Sequence, residues 1–176
     1  MKSEQQQIVA LIPALRAFAR TFLRDRDAAD DLVQETLVKA LKSIHQFQPG
    51  TNMKSWLFTI MRNTFYSEVK LRRREAPGID DCISSRPGLE PTQEWSVRGI
   101  EIAEAIDRLP PEQREVLVLI GVLGTSYEDA VGICGCAMGT IKSRLFRARE
   151  RLLRELGESS AEGSVKTLER QSLISS

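Results

Sequence analysis

The 176 residues include one histidine and three cysteines, too few for a zinc site of the usual ligand spacing. His45 has no catalytic partner nearby in the sequence, and Cys82, Cys134 and Cys136 read as free thiols. There is no Gly-rich phosphate loop, no nucleophile elbow and no His-Glu metal motif. No cofactor is expected, and the adjacent carboxylates Asp30 and Asp31 suit a solvated or partner-facing helix surface better than acid–base work. The chain therefore reads as a binding protein and not an enzyme. No run approaches the roughly 18 apolar residues of a membrane span. Pro13, Arg16 and Arg20 interrupt any apolar segment near the amino terminus, so a cytoplasmic protein is expected. The net charge of +1 is small, but the charge is segregated along the chain.

Residues 142–154 concentrate that charge: Lys142, Arg144, Arg147, Arg149, Arg151 and Arg154 stand against the single acid Glu150. At 3.6 residues per turn, Ile141, Leu145, Ala148, Leu152 and Leu156 form an apolar stripe, while Ser143, Phe146, Arg147 and Arg154 point the other way. A helix of this kind packs one side on a domain and offers the other to a polyanion. It fits the major groove of DNA, where Arg and Lys bond guanine edges. The preceding segment Ser126-Tyr-Glu-Asp129 is a capping box that starts a helix near Tyr127. Cys134-Gly135-Cys136 is a tight turn. Two helices, a short Gly turn and a basic second helix make a helix-turn-helix.

The remaining chain reads as helical throughout. A first helix spans 12–24, and Asp27 starts a second that runs to His45, with Leu32, Thr36, Leu37, Ala40, Leu41 and Ile44 facing a core. Asp30, Asp31, Gln34 and Glu35 form its outward acidic face. After the turn at Pro49–Asn52, a third helix carries Trp56, Leu57 and Ile60. Arg62-Asn63-Thr64 interrupts or bends it, and a fourth helix ends in the basic run Lys70-Leu-Arg-Arg-Arg74. Phe65, Tyr66, Lys70, Arg72, Arg73 and Arg74 interleave rings with cations, which suits unstacked bases; equally, Trp56 and Phe65 fit a core and the Arg run a solvated helix end. Residues 76–97 hold three prolines and two glycines without apolar periodicity and read as a linker. The expected organisation is all-α: a domain over 1–75, the linker, and a second domain over 98–156. The Ser- and Glu-rich tail over 157–176 reads as disordered. In the second domain Pro110-Pro111 ends one helix, and Glu112–Leu123 forms the next.

Over residues 10–156 the chain resembles the extracytoplasmic-function sigma factors of bacterial RNA polymerase. The matching blocks are Asp27-Ala-Ala-Asp-Asp-Leu-Val-Gln-Glu-Thr36, Trp56-Leu-Phe-Thr-Ile-Met-Arg-Asn63, Leu109-Pro-Pro-Glu-Gln-Arg-Glu-Val116, Ser126-Tyr-Glu-Asp-Ala130 and Gly139-Thr-Ile-Lys-Ser-Arg-Leu-Phe-Arg-Ala-Arg149. Phe47-Gln-Pro-Gly-Thr-Asn-Met53 and Ile133-Cys-Gly-Cys136 resemble the general-stress-response branch. The resemblance implies two all-helical domains, regions two and four, on a flexible linker. It implies that Asp30, Asp31, Gln34 and Glu35 dock on the β′ coiled coil of core RNA polymerase, whose β flap meets region four. It implies that Arg62, Asn63, Tyr66, Arg72, Arg73 and Arg74 serve the minus-ten element, with the Arg62-Asn63-Thr64 loop capturing a flipped base. Lys142, Ser143, Arg144, Phe146 and Arg147 would read the minus-thirty-five element of promoter DNA. It further implies an anti-sigma factor, a small helical protein. Two helical domains with apolar faces must either pack on each other or be held by a partner, and this protein is expected to lodge between residues 10–75 and 98–156. Two departures stand out: Ala137 occupies the position where the family often has a Ser or Thr cap, and Gly132 sits within the supporting helix.

A second reading is a sigma-like decoy that binds an anti-sigma factor without touching DNA, but a decoy has no use for Lys142, Arg147 and Arg149. A third is a two-helix repressor with an unrelated amino-terminal half, against which the acidic helix and Asn63 argue.

Overall fold

The computed structural model describes residues 2–75 and 97–157, and among them every regular element is helical. The linker and tail expectations lie outside these residues, except that Val97 already opens a helix and Gly157 is placed. The α-helices among the described residues are α1 (Lys2–Ala10), α2 (Ile12–Phe22), α3 (Arg26–Lys42), α4 (Met53–Glu75), α5 (Val97–Asp107), α6 (Pro111–Leu117), α7 (Tyr127–Cys134) and α8 (Met138–Glu155).

In the amino-terminal half, α2, α3 and α4 pack on one another around aromatic rings. Phe18 and Phe58 are fully buried with centroids 4.7 Å apart, and Phe22 stacks on Phe65 at 4.8 Å. Burying a side chain of this size stabilises a fold by roughly 1.5–3 kcal/mol. Phe65 is thus a core residue, and Trp56 tilts against Phe47 at 5.3 Å.

Several expectations need correction here. Helix α1 is not among the helices expected from the sequence, and among its described side chains Ile8 is the one buried in the apolar core. The cap of α3 is Asp25, whose carboxylate accepts from the Ala28 N–H at 2.8 Å, so Asp27 falls in the first turn. Leu41 is 48% exposed and does not face the core. The helix break at Arg62-Asn63-Thr64 is absent: α4 runs unbroken for 23 residues. None of the three is Gly or Pro, and Thr64 is buried with its hydroxyl accepting from Lys39 Nζ at 3.2 Å. Asn63 therefore sits on an exposed helix surface, not in a loop.

In the carboxy-terminal half, α6 packs on α8 through Val116, Leu117, Ile141, Leu145 and Ala148, all buried. The single helix expected over 112–123 is α6 followed by a π-helical turn, Val118–Val122, in which the Leu123 N–H reaches the Val118 carbonyl at 2.9 Å. The helix-turn-helix matches its sequence signals. Ser126 Oγ accepts from the Asp129 N–H at 3.0 Å, and Gly135 ends α7 in the left-handed region at φ 62°. Gly132 adds no contact that a Cβ would disturb.

The two halves share one apolar core, with α7 against α4 and α6 against α2. The gap between domains that a partner was expected to fill is closed by the domains themselves.

Ala137 has the extended backbone of an N-cap, φ −65° and ψ 151°, yet supplies no side-chain bond to α8. Ala137→Ser is expected to stabilise the fold by about 1 kcal/mol. At this chain length that raises the thermal midpoint by about 2–4 °C, which calorimetry or circular dichroism would read.

Candidate nucleic-acid and polymerase surfaces

Three surfaces carry the candidate residues. The first is the outer face of α8. Lys142, Ser143 and Arg147 are exposed, and Phe146 leaves 66% of its surface in solvent with no ring partner. An unsupported exposed ring of this size fits a contact with a base or its methyl group. Ser143 Oγ donates to the Thr140 carbonyl at 3.0 Å, which holds the hydroxyl and leaves its lone pairs outward. Arg144 does not join this face. It lies at the edge of the buried stripe, pairs with Glu112 at 2.9 Å and approaches Cys136 Sγ at 3.8 Å, clamping α8 to α6.

The second surface is along α4. Asn63 and Arg72–Arg74 are exposed, with Arg72 3.9 Å from Glu68. Arg62 and Tyr66 are turned toward the other half of the chain. Arg62 Nε donates to Glu115 Oε1 at 2.6 Å, its guanidinium lies 4.6 Å from the Tyr66 ring centre, and the Tyr66 hydroxyl is 3.5 Å from Glu115 Oε2. The Glu115 side chain is only 2% exposed. Burial pushes its carboxyl above the ordinary range, and Arg62 opposes that rise. Burial alone would weaken the hold of Arg62 on its proton, and the facing carboxylate more than restores it. Burial and Glu115 together push the Tyr66 hydroxyl up to about 12. The six residues proposed for the downstream element are thus split. Asn63 and Arg72–Arg74 face solvent, Arg62 is half-buried against α6, and Tyr66 touches α6 while leaving 36% of its surface exposed.

The third surface is the outer face of α3. Asp31 and Gln34 are exposed, while Asp30 is half-buried and bonded to Arg16 at 3.1 Å. Glu35 is held below its usual range by a hydrogen bond from Glu68 and by Lys39, 2.7 Å away. Glu68 is raised by that same shared bond and by burial, so it is the partner that keeps the proton longer. Val38 and Leu41, 50% and 48% exposed, extend this face one and two turns beyond Gln34. The apolar repeat of α3 assigns no role to Val38 and places Leu41 in the core. Glu115, Arg114 and Glu68 were also missed as structural partners, because Arg62, Thr21 and Glu35, which they meet, lie 33 to 93 positions away in the chain. Burial pushes the Cys134 thiol up to about 12, which keeps it protonated. Among the described residues no His, Cys, Asp and Glu group is arranged to hold a metal, and no helix is long and apolar enough to cross a membrane.

Comparison with known proteins assigns both halves. Residues 8–75 match the family Sigma-70 region 2, and residues 100–152 match Sigma-70, region 4. The chain belongs to the ECF sigma factors of RNA polymerase. It is 50% identical over 150 residues to the ECF RNA polymerase sigma factor EcfG of Rhodopseudomonas palustris, covering 85% of this chain and 83% of that protein. It is 37% identical over 139 residues to the ECF sigma factor SigC of Mycobacterium tuberculosis, covering 75% and 72%. Its fold is similar to that of the sigma factor RpoE solved with the anti-sigma factor NepR from Bartonella quintana. The TM-score is 0.80 at 44% identity, covering 91% of this chain and 100% of that one.

The different settings of Arg144 and Arg147 separate packing from reading. Arg144→Ala is expected to lower stability by about 1 kcal/mol through loss of its bonds to α6. DNA sequence preference is expected to stay as in the wild type. Chemical denaturation together with a binding screen on single-base promoter substitutions checks both halves of this statement.

Proposed function

We propose that this sigma factor gives RNA polymerase its promoter specificity through three surfaces with distinct duties. The outer face of α8 reads the minus-thirty-five element, with Arg147 and Lys142 as donors to guanine or phosphate and Phe146 against an apolar base edge. The α4 surface of Arg62, Asn63, Tyr66 and Arg72–Arg74 engages the opened minus-ten strand, cations on the backbone and the ring against a base. The acidic face of α3, with Val38 and Leu41 as its apolar extension, docks on the β′ coiled coil of core polymerase, and region four meets the β flap. The observation that carries this reading is the exposed, unpartnered Phe146 between Lys142 and Arg147 on an 18-residue helix set behind a Gly135 turn. A protein that only bound other proteins as a decoy would have no need of that face.

The solved relative from Bartonella quintana is bound to an anti-sigma factor. We infer that a small helical anti-sigma protein likewise holds this chain inactive, and that its release serves a stress response in the cytoplasm. The chain carries no catalytic group of its own in this scheme.

Run-off transcription with core polymerase tests the reading as a whole. Within it, Arg147→Ala is expected to change base preference at one or two upstream positions, a loss of about 1–3 kcal/mol at each. Arg151→Ala is expected to weaken all sequences alike and to lower the salt slope by about one unit. Binding to a library of single-base promoter substitutions at two salt concentrations separates the two. For docking, Asp31→Lys with Glu35→Lys is expected to slow association with core polymerase about tenfold, most strongly at low salt, with unchanged helicity by circular dichroism.

A further inference from the structure

The turn of the helix-turn-helix holds two thiols on either side of one glycine, and neither belongs to the three binding surfaces. Cys134 ends α7 and is 4% exposed, Cys136 is half-buried, and Gly135 between them is exposed. Gly135 sits at φ 62° and ψ 37°. A residue with helical dihedrals of either hand sets its neighbours' Cα atoms about 5.5 Å apart, against about 6.5 Å across an extended one. Disulfides bridge Cα atoms about 4.4–6.8 Å apart, most often near 5.5–6 Å. The left-handed turn therefore puts the two free thiols at bridging range.

Closing the bond must reshape the turn. Side chains two positions apart around a helical residue do not face each other, whereas disulfide Cβ atoms lie about 3.8 Å apart. Gly135 has to leave its dihedrals, which glycine does at little steric cost. Upstream, α7 is anchored by buried Ala130 and Ile133. Downstream, Cys136 adjoins Ala137, the N-cap of α8, which gives that helix no side-chain bond. Cys136 Sγ also lies 3.8 Å from Arg144, which clamps α8 to α6 through Glu112. Movement at Gly135 thus reaches the first turns of α8, where Lys142 and Ser143 stand.

We propose that Cys134 and Cys136 form a reversible dithiol–disulfide site for low-molecular-weight disulfides, and that closing it weakens the grip of α8 on the minus-thirty-five element. The proposal rests on the assignment of α8 to that element. Cys136, the reachable thiol, attacks one sulfur of R–S–S–R as its thiolate. A mixed disulfide forms, and the departing R–S⁻ takes up the proton that Cys136 gave up. Cys134 then loses its proton to solvent, attacks the Cys136 sulfur and expels the second R–S⁻, which is protonated in turn. Two protein thiols are oxidised and one R–S–S–R is reduced to two R–SH. Arg144 steers an anionic oxidant such as oxidised glutathione to Cys136. Burial holds the Cys134 thiol protonated, so the second step is the slower one, helped by the nearness of its target. A ring closed through one residue is strained, and strained disulfides are the readily reduced, regulatory ones.

The test uses the full chain with Cys82→Ala, equilibrated over ratios of reduced to oxidised glutathione. Intact-mass spectrometry after alkylation is expected to show a monomer that has lost two hydrogens and takes up no alkylating agent. Cys134→Ser is expected to stop with one glutathione on Cys136, and Cys136→Ser to stay unmodified over the same interval. The oxidised chain, freed of glutathione by gel filtration, is then assembled with core polymerase. Its DNA probe is a duplex selected from a random-sequence pool by the reduced holoenzyme. Docking on polymerase is expected to match that of the reduced chain. Duplex binding is expected to weaken about tenfold, the scale of one specific base contact, and to return after dithiothreitol. A chain carrying both Cys134→Ser and Cys136→Ser, treated in the same way and folded by circular dichroism, is expected to bind as the reduced chain does. The proposal is overturned if both thiols stay free in oxidised glutathione, if the disulfide joins two chains, or if Cys136→Ser reacts as fast as its parent. It is equally overturned by an oxidised chain that binds the duplex as the reduced one does, by loss of polymerase docking on oxidation, or by the same loss of duplex binding in the double variant. A reduced holoenzyme that selects no duplex refutes the reading assigned to α8, while the mass measurement still decides the disulfide, so the two failures are distinguishable.

Discussion

A carboxylate buried between two helical layers has to be answered by a cation, and in this chain that requirement organises the interface. Taking an ion out of water costs several kcal/mol, which its partner offsets only when geometry is good. Glu115 meets the condition with a 2.6 Å bond to Arg62. Once Arg62 is fixed, the rest of the contact is constrained. Tyr66 lies one turn further along α4 and receives both the guanidinium on its ring and the carboxylate near its hydroxyl. Arg114, next to Glu115 on α6, turns to the Thr21 and Asp107 carbonyls and closes the same seam from the other side. Removing one member of a buried pair leaves an uncompensated charge, so the seam is sensitive to single substitutions in a way that an apolar interface of equal area is not.

The elements and the outward faces were largely legible because local rules decide them. The stripe of Ile141, Leu145 and Ala148 is set by the helical repeat, and all three are buried. Ser126 and Gly135 act through bonds and dihedrals within a few residues of themselves, so their sequence signals were sufficient. Asp31, Gln34, Lys142, Ser143, Phe146 and Arg147 emerge on the surfaces that the periodicity gave them. The misses share one cause. Arg62 and Tyr66 are divided from Asn63 and Arg72–Arg74 by a contact with α6, and Arg144 is drawn inward by Glu112. Each depends on a residue 32 or more positions away, which no local pattern encodes. The polar run Arg62-Asn63-Thr64 suggests a break but makes none, because polar residues without Gly or Pro are tolerated in a helix whose other face is buried. Leu41 followed the apolar repeat of α3 but lies beyond the layer that would have covered it.

The absence of a joint in α4 gives that helix the properties of a ruler. Its residues advance about 1.5 Å each, so the basic run beginning at Arg72 stands about 15 Å beyond Arg62 along one stiff axis. That interval is close to four or five base steps of a stacked strand. Cations mounted on a rigid rod sample nucleic acid at a spacing fixed by helical pitch, without the loop adjustments that let a flexible arm follow any backbone. Under the proposed assignment of α4 to the downstream strand, the periodicity of the protein backbone is imposed on that strand. Only a strand conformation whose phosphates recur at a compatible interval satisfies both ends of the rod at once.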